Sequence, residues 1–174
     1  MHGLPEQSIE AAVEDLRIAI EQSPSHISWY QFTIEPNTYF YNYPPKLPGE
    51  NIQDSIFEEG TKILSTHAFS QYEVSAFAQN SRKSSHNHNY WSFGDYLGIG
   101  SGAHGKLTLL NENKLIRTNK PKRPDHYMNH AVDSATQLRE VSTEERTIEF
   151  LMNALRLKEG FSRNFCLLYT SPSP

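Results

Sequence analysis

The chain has 174 residues, a net charge of -4 and a single cysteine, Cys166. These totals exclude an internal disulfide and any metal or cluster site built from cysteines alone, and they speak against nucleic acid, whose phosphates favour a basic surface. Mean hydropathy is low at -0.63, yet 11% of the residues are aromatic, which argues for a folded chain over a disordered one.

The one basic cluster, Lys120 to Arg123 between prolines, reads as a solvated linker. No apolar run approaches the roughly 20 residues of a membrane span, and the segment Met1–Glu10 has no signal-peptide pattern. The expected location is therefore the cytoplasm, with no transmembrane segment.

The first expected helix runs from Ser8 to about Gln22, with Ile9, Ala12, Val13, Leu16 and Ile20 at helical spacing and Ser8 as its cap. Pro24 blocks its continuation. Ile27–Glu35 reads as a strand, with Tyr30, Phe32 and Ile34 on one face and Gln31, Thr33 and Glu35 on the other. The proline-rich stretch 36–50 is a loop. Asn51 is expected to cap a helix to about Thr66 that buries Ile52, Ile56, Phe57, Ile63 and Leu64. A strand from Gln71 to Phe77 follows. Met1 to Pro5 reads as the end of an earlier strand. This alternation predicts an α/β fold in which strands 27–35 and 71–77 are parallel neighbours joined by a crossover helix.

Residues 78–92 are polar, and 93–105 are rich in glycine. Lys106–Leu110 and Lys114–Thr118 read as a hairpin turning at 111–113. A helix is expected from Pro124 to about Gln137. Another starts from a Ser142–Glu145 capping box, carries Ile148, Leu151, Met152 and Leu155 on its apolar stripe, and ends at Gly160.

Three groups of residues suggest chemistry. His86-Asn87-His88-Asn89-Tyr90-Trp91 combines imidazoles with aromatics. Imidazole is the commonest ligand of transition metals and serves heme iron, and flat rings can stack on a macrocycle. Two histidines two apart would share a face on a strand, so a small metal site at His86 and His88 stands open beside a plain polar loop that packs one tryptophan. Gly98 to Gly105, with His104, reads either as a backbone cradle for an anion or as a tight turn between close strands. Glu35 and Glu73 read as an acid–base pair or as two solvated carboxylates.

The segments MHGLPEQS, SWYQFTIEPNTYF, QYEVSAFA, HNHNYW and GDYLGIGSGAHG stand in this order. Together they resemble the coproporphyrinogen-oxidase-like radical SAM proteins over about residues 1–163, in the heme-chaperone (HemW) branch rather than the true oxygen-independent oxidase. The resemblance implies the C-terminal portion of a partial (β/α) radical SAM barrel over 1–92 and a smaller C-terminal region beginning over 93–163. Residues 164–174 are expected to be a non-native tail.

The family carries a three-cysteine motif for a [4Fe–4S] cluster, with SAM beside it. None of those cysteines is present, so the chain is expected to be an internal piece that is inactive as an enzyme. The resemblance assigns heme contacts to His86, Asn87, Tyr90 and Trp91, with His86 toward the iron, and SAM contacts to Met1 and Thr33. It implies binding of heme and its delivery to acceptor proteins; the alternative is an oxidoreductase acting on a porphyrinogen.

Overall fold

Ser8 sets the first helix. In the computed structural model, which describes residues 1–129 and 136–170, its side chain accepts from the Ala11 amide and α1 spans Ile9–Glu21. Ala12 and Leu16, one turn apart, are its buried positions. The second long helix, α3 (Glu50–Thr66), follows a one-turn α2 (Tyr39–Asn42) inside the expected loop. α3 begins two residues earlier than expected: Gly49 is its cap, without a side-chain bond, and Asn51 lies in the first turn. Ile56, Gly60 and Leu64 are buried along it, whereas Ile52 is exposed.

The strands depart further from expectation. β1 is only His26–Ser28. Beyond it the chain makes one parallel bridge, His2 with Gln31, in which the His2 amide donates to Tyr30 and the Phe32 amide donates to His2. The segment from Met1 therefore does lie beside this stretch. The expected strand 71–77 is instead a hairpin, β2 (Ser70–Glu73) and β3 (Ala76–Ala78), that turns at Val74–Ser75.

The sheet order is β1-β3-β2, with both pairings antiparallel. The expected parallel neighbours are thus not neighbours. β1 and β2 run the same way, as a helical crossover demands, but β3 doubles back and occupies the place between them. The helices and this sheet enclose a core of Ala12, Leu16, Trp29, Ile56, Leu64, Phe69 and Phe77.

The chain divides into two compact units, Met1–Ser84 and Ser85–Pro174, and residues 86–91 lie in the second. In the second unit those residues form α4 (Ser85–Trp91), where a polar loop was expected. β4 (His104–Leu109) and β5 (Lys114–Asn119) make the expected hairpin, turning through Leu110–Glu112 with Asn113 in the left-handed region. α5 is Pro124–Asn129; residues 130–135 of that expected helix lie outside the described residues, and its expected last residue, Gln137, opens β6 (Gln137–Glu140), antiparallel to β5.

The Ser142–Glu145 capping box is present and starts α6 (Thr143–Ala154). Its buried stripe is Phe150 and Ala154, while Ile148, Met152 and Leu155 are exposed. The helix ends before Gly160, whose positive φ shapes a later turn. α7 (Arg163–Thr170) falls largely within the expected non-native tail, and its Phe165 and Cys166 pack against the second core of Phe93, Leu115, Val141, Phe150 and Ala154. The fold class is α/β, as expected.

Candidate functional site

Helical geometry decides which motif residues meet. On α4, His86 and Tyr90 are four apart and share a face, with ring centroids 4.6 Å apart and the rings edge to face. His86 is exposed and Tyr90 half-buried. His88 falls on another side of the helix, where its Nδ1 lies 3.2 Å from Ser92 Oγ. The two-histidine metal site expected on a strand is therefore not formed. Among the described residues no group of three or more His, Cys, Asp or Glu side chains is arranged to hold a metal ion.

Trp91 is one turn beyond Asn87, on the side adjoining the His86 and Tyr90 face, and its ring centroid lies 6.2 Å from that of Tyr90. The Arg156 guanidinium lies 4.2 Å from its ring centroid, and the Trp91 Nε1 is buried with no hydrogen-bond partner among the described residues. The four motif residues thus divide between two sides of one helix.

Behind Tyr90 stands Tyr96, with ring centroids 4.2 Å apart. Arg117 Nη1 donates to Tyr96 Oη at 2.8 Å, and Arg117 Nε donates to Glu149 Oε2 at 3.0 Å. Burial, and then the neighbouring Tyr96, push the Tyr90 phenol above its ordinary pKa, with Arg117 opposing. Tyr96 lies in the segment GDYLGIGSGAHG, but nothing in the local sequence joins it to Arg117, because strand pairing brings them together over 21 residues of chain.

The turn into β4 is pinned by Lys106, which is 1% exposed. Its Nζ donates to the Phe93 carbonyl at 2.8 Å, to Asp95 Oδ1 at 2.9 Å and to Thr108 Oγ1 at 3.0 Å. Burial raises the Asp95 carboxyl, but the donors from Lys106 and Thr108 outweigh it and hold Asp95 below the usual carboxylate range.

The glycine-rich stretch has the geometry of a tight turn. A Cβ on Gly98 would run into the His104 backbone, and one on Gly105 into the Thr118 side chain. His104 is exposed at the start of β4. Glu35 and Glu73 sit in different surroundings, contrary to the paired reading. Glu35 is exposed and accepts from the Thr33 hydroxyl at 2.8 Å, whereas Glu73 is fully buried at the end of β2. Met1 and Thr33 are both exposed, on the two segments that the His2–Gln31 bridge holds side by side.

The chemistry of the donor set can be tested against the groups expected. An accessible imidazole beside an aromatic ring suits heme iron. A [4Fe–4S] cluster does not fit these residues: the sole cysteine, Cys166, is engaged with the second core.

No family model matches the chain. Its structure is similar to that of coproporphyrinogen III oxidase (HemN) from Escherichia coli, a radical SAM enzyme, with a TM-score of 0.66 and 16% identity over 90% of this chain and 39% of that one. At that identity the likeness is one of fold, and it defines the class: an α/β chain with the coproporphyrinogen-oxidase type of radical SAM architecture.

The heme chaperone HemW of Escherichia coli (strain K12) is 46% identical over 170 residues, 98% of this chain and 44% of that protein. HemW of Haemophilus influenzae is 47% identical over 173 residues, 99% of this chain and 44% of that protein. The mitochondrial radical S-adenosyl methionine domain-containing protein 1 of Mus musculus is 38% identical over 111 residues, 62% of this chain and 25% of that protein. Over nearly its whole length the chain is similar to part of the HemW proteins, and it spans 44% of the length of each of the first two relatives. The Haemophilus match covers too much of the chain to leave residues 164–174 outside it.

Proposed function

We propose that this chain carries the heme-binding face of a heme chaperone, made from α4, and that the protein delivers heme to acceptor proteins in the cytoplasm. The observation that carries the reading is the exposed His86 ring packed against Tyr90 on one face of α4. The HemW names of its relatives supply the ligand class. His86 would offer a ring nitrogen to the iron, and Tyr90 an apolar edge to the macrocycle. Asn87 and Trp91 would contribute from the neighbouring side of the helix. Bound heme would supply an iron centre able to accept a ring nitrogen of His86.

The unit Met1–Ser84 is read as the barrel portion and the unit from Ser85 as the start of the chaperone-type domain. Met1 and Thr33 are assigned to SAM in the whole protein, supported by their exposure on neighbouring segments. The likeness to HemN does not favour a porphyrinogen oxidase, since at 16% identity it concerns fold alone.

A titration with ferric heme followed by absorbance tests the reading. His86→Ala should change the heme spectrum more than the uptake, and Trp91→Ala the uptake more than the spectrum. His88→Ala should resemble wild type. Equal binding by all four proteins would remove α4 from the heme site.

A further inference from the structure

We infer that Tyr96 and Arg117, both outside the 86–91 motif, are positioning residues of the heme site: they fix the Tyr90 ring and, through it, the His86 imidazole. The inference rests on the heme reading above and deepens it.

α4 is seven residues long, too short to be a stable helix by itself. An exposed imidazole on such a helix is free to change rotamer, and ordering it on binding costs affinity. The structure supplies order from outside the helix. Tyr90 packs against His86 at 4.6 Å and against Tyr96 at 4.2 Å between ring centroids, with the two tyrosine rings inclined by 31°.

Tyr96 cannot drift. Its amide donates to the Lys106 carbonyl at 3.0 Å and its carbonyl accepts from the Lys106 amide at 2.9 Å. Its hydroxyl accepts from Arg117, which stands opposite Lys106 in the β4–β5 register. Arg117 in turn places Nε and Nη2 on Glu149 Oε2, so α6 holds one side of the guanidinium fork while the other side holds Tyr96. Asn89 Nδ2 donates to the Asp95 carbonyl at 3.0 Å and fastens α4 to the residue before Tyr96. The line Glu149, Arg117, Tyr96, Tyr90, His86 therefore runs from a packed helix to an exposed ring.

The test uses the full chain with ferric heme. Tyr96→Leu and Arg117→Met should each release heme to excess apomyoglobin about tenfold faster, which is about 1.4 kcal/mol, the size of one aromatic pair. Their ferric spectra should shift toward that of His86→Ala. Tyr96→Phe keeps the ring but loses the hydroxyl that Arg117 holds, so it should follow Arg117→Met. Without heme, the His86 imidazole protons should move in the NMR spectra of Tyr96→Leu and Arg117→Met, as the ring current of Tyr90 requires. Arg117→Met carries the test if Tyr96→Leu fails to fold. Wild-type spectra and release rates in both variants, with His86→Ala altered, would overturn the inference and leave the heme reading standing. A wild-type chain that takes up no heme overturns the heme reading and the inference with it.

Discussion

The Trp29 ring lies against the backbone of α3 at Gly60, where a Cβ would run into the six-membered ring of the indole. Both residues are buried, and Ile56 and Leu64 flank the contact one turn to either side. Glycine is ordinarily a poor residue in the middle of a helix, by about 1 kcal/mol against alanine. Here the close approach reverses the sign. Gly60→Ala should destabilise the chain by roughly 2 kcal/mol, as overpacking in a closed core does. Urea unfolding reads the change, and a more stable variant would show that the indole can move aside.

His2 gives the first unit a pH dependence. Burial, helped by the Met1 amino group, lowers its pKa from 6.5 to about 4. Between these values the unfolded chain binds the proton more readily than the folded one, so stability rises with pH across that window. The contribution is complete above about pH 6.5 and is lost as pH falls toward 4, on the order of 3 kcal/mol in all. His26 is shifted the same way, by burial opposed by Glu73, and adds to the effect. Denaturant midpoints measured from pH 7 to pH 4.5 should fall, and more steeply than in His2→Phe. Parallel curves for the two proteins would exclude His2 as the source.

Phe165 makes α7 part of the second core. Its ring lies 5.8 Å from that of Phe150, itself fully buried. Phe165→Ala should cost about 1–3 kcal/mol, since the ring is only partly buried. The melting temperature should drop by several degrees. A melting curve indistinguishable from wild type would return residues 164–170 to the status of an appendage.

Cys166 cannot replace a set of three cluster ligands. With SAM and a strong reductant, the chain should therefore yield no 5′-deoxyadenosine after anaerobic treatment with iron and sulfide. Chromatography of the mixture against a no-protein control reads this directly. Product above the control would mean that electrons reach SAM by another route.

Legibility in the sequence followed the range of the forces involved. Ser8 and the Ser142–Glu145 box carry their own hydrogen bonds, so both helix starts can be read from a few residues. The turn at Val74–Ser75 contains no glycine, proline, asparagine or aspartate, so the sequence reads as one strand passing straight through it. The apolar pattern of α6 offers two stripes, and only the partners Phe93, Phe161 and Phe165 choose the one with Phe150. At the site, the residue types of the motif are evident in the sequence. Their division between two sides requires knowing that 86–91 is a helix. Tyr96 and Arg117 depend on strand register, which no local pattern encodes.

The place of β3 between β1 and β2 has a consequence for how this family varies. A change of side-chain volume at His26, Ile27 or Ser28 is felt first across the ladder at Ala78, Phe77 or Ala76. Compensating changes at β1 should therefore co-vary with residues 76–78 and not with residues 70–73, although β2 is the strand that follows the crossover helix. A contact map inferred from co-varying positions would show this as a diagonal of antiparallel slope where a simple helix–strand alternation would draw a parallel one.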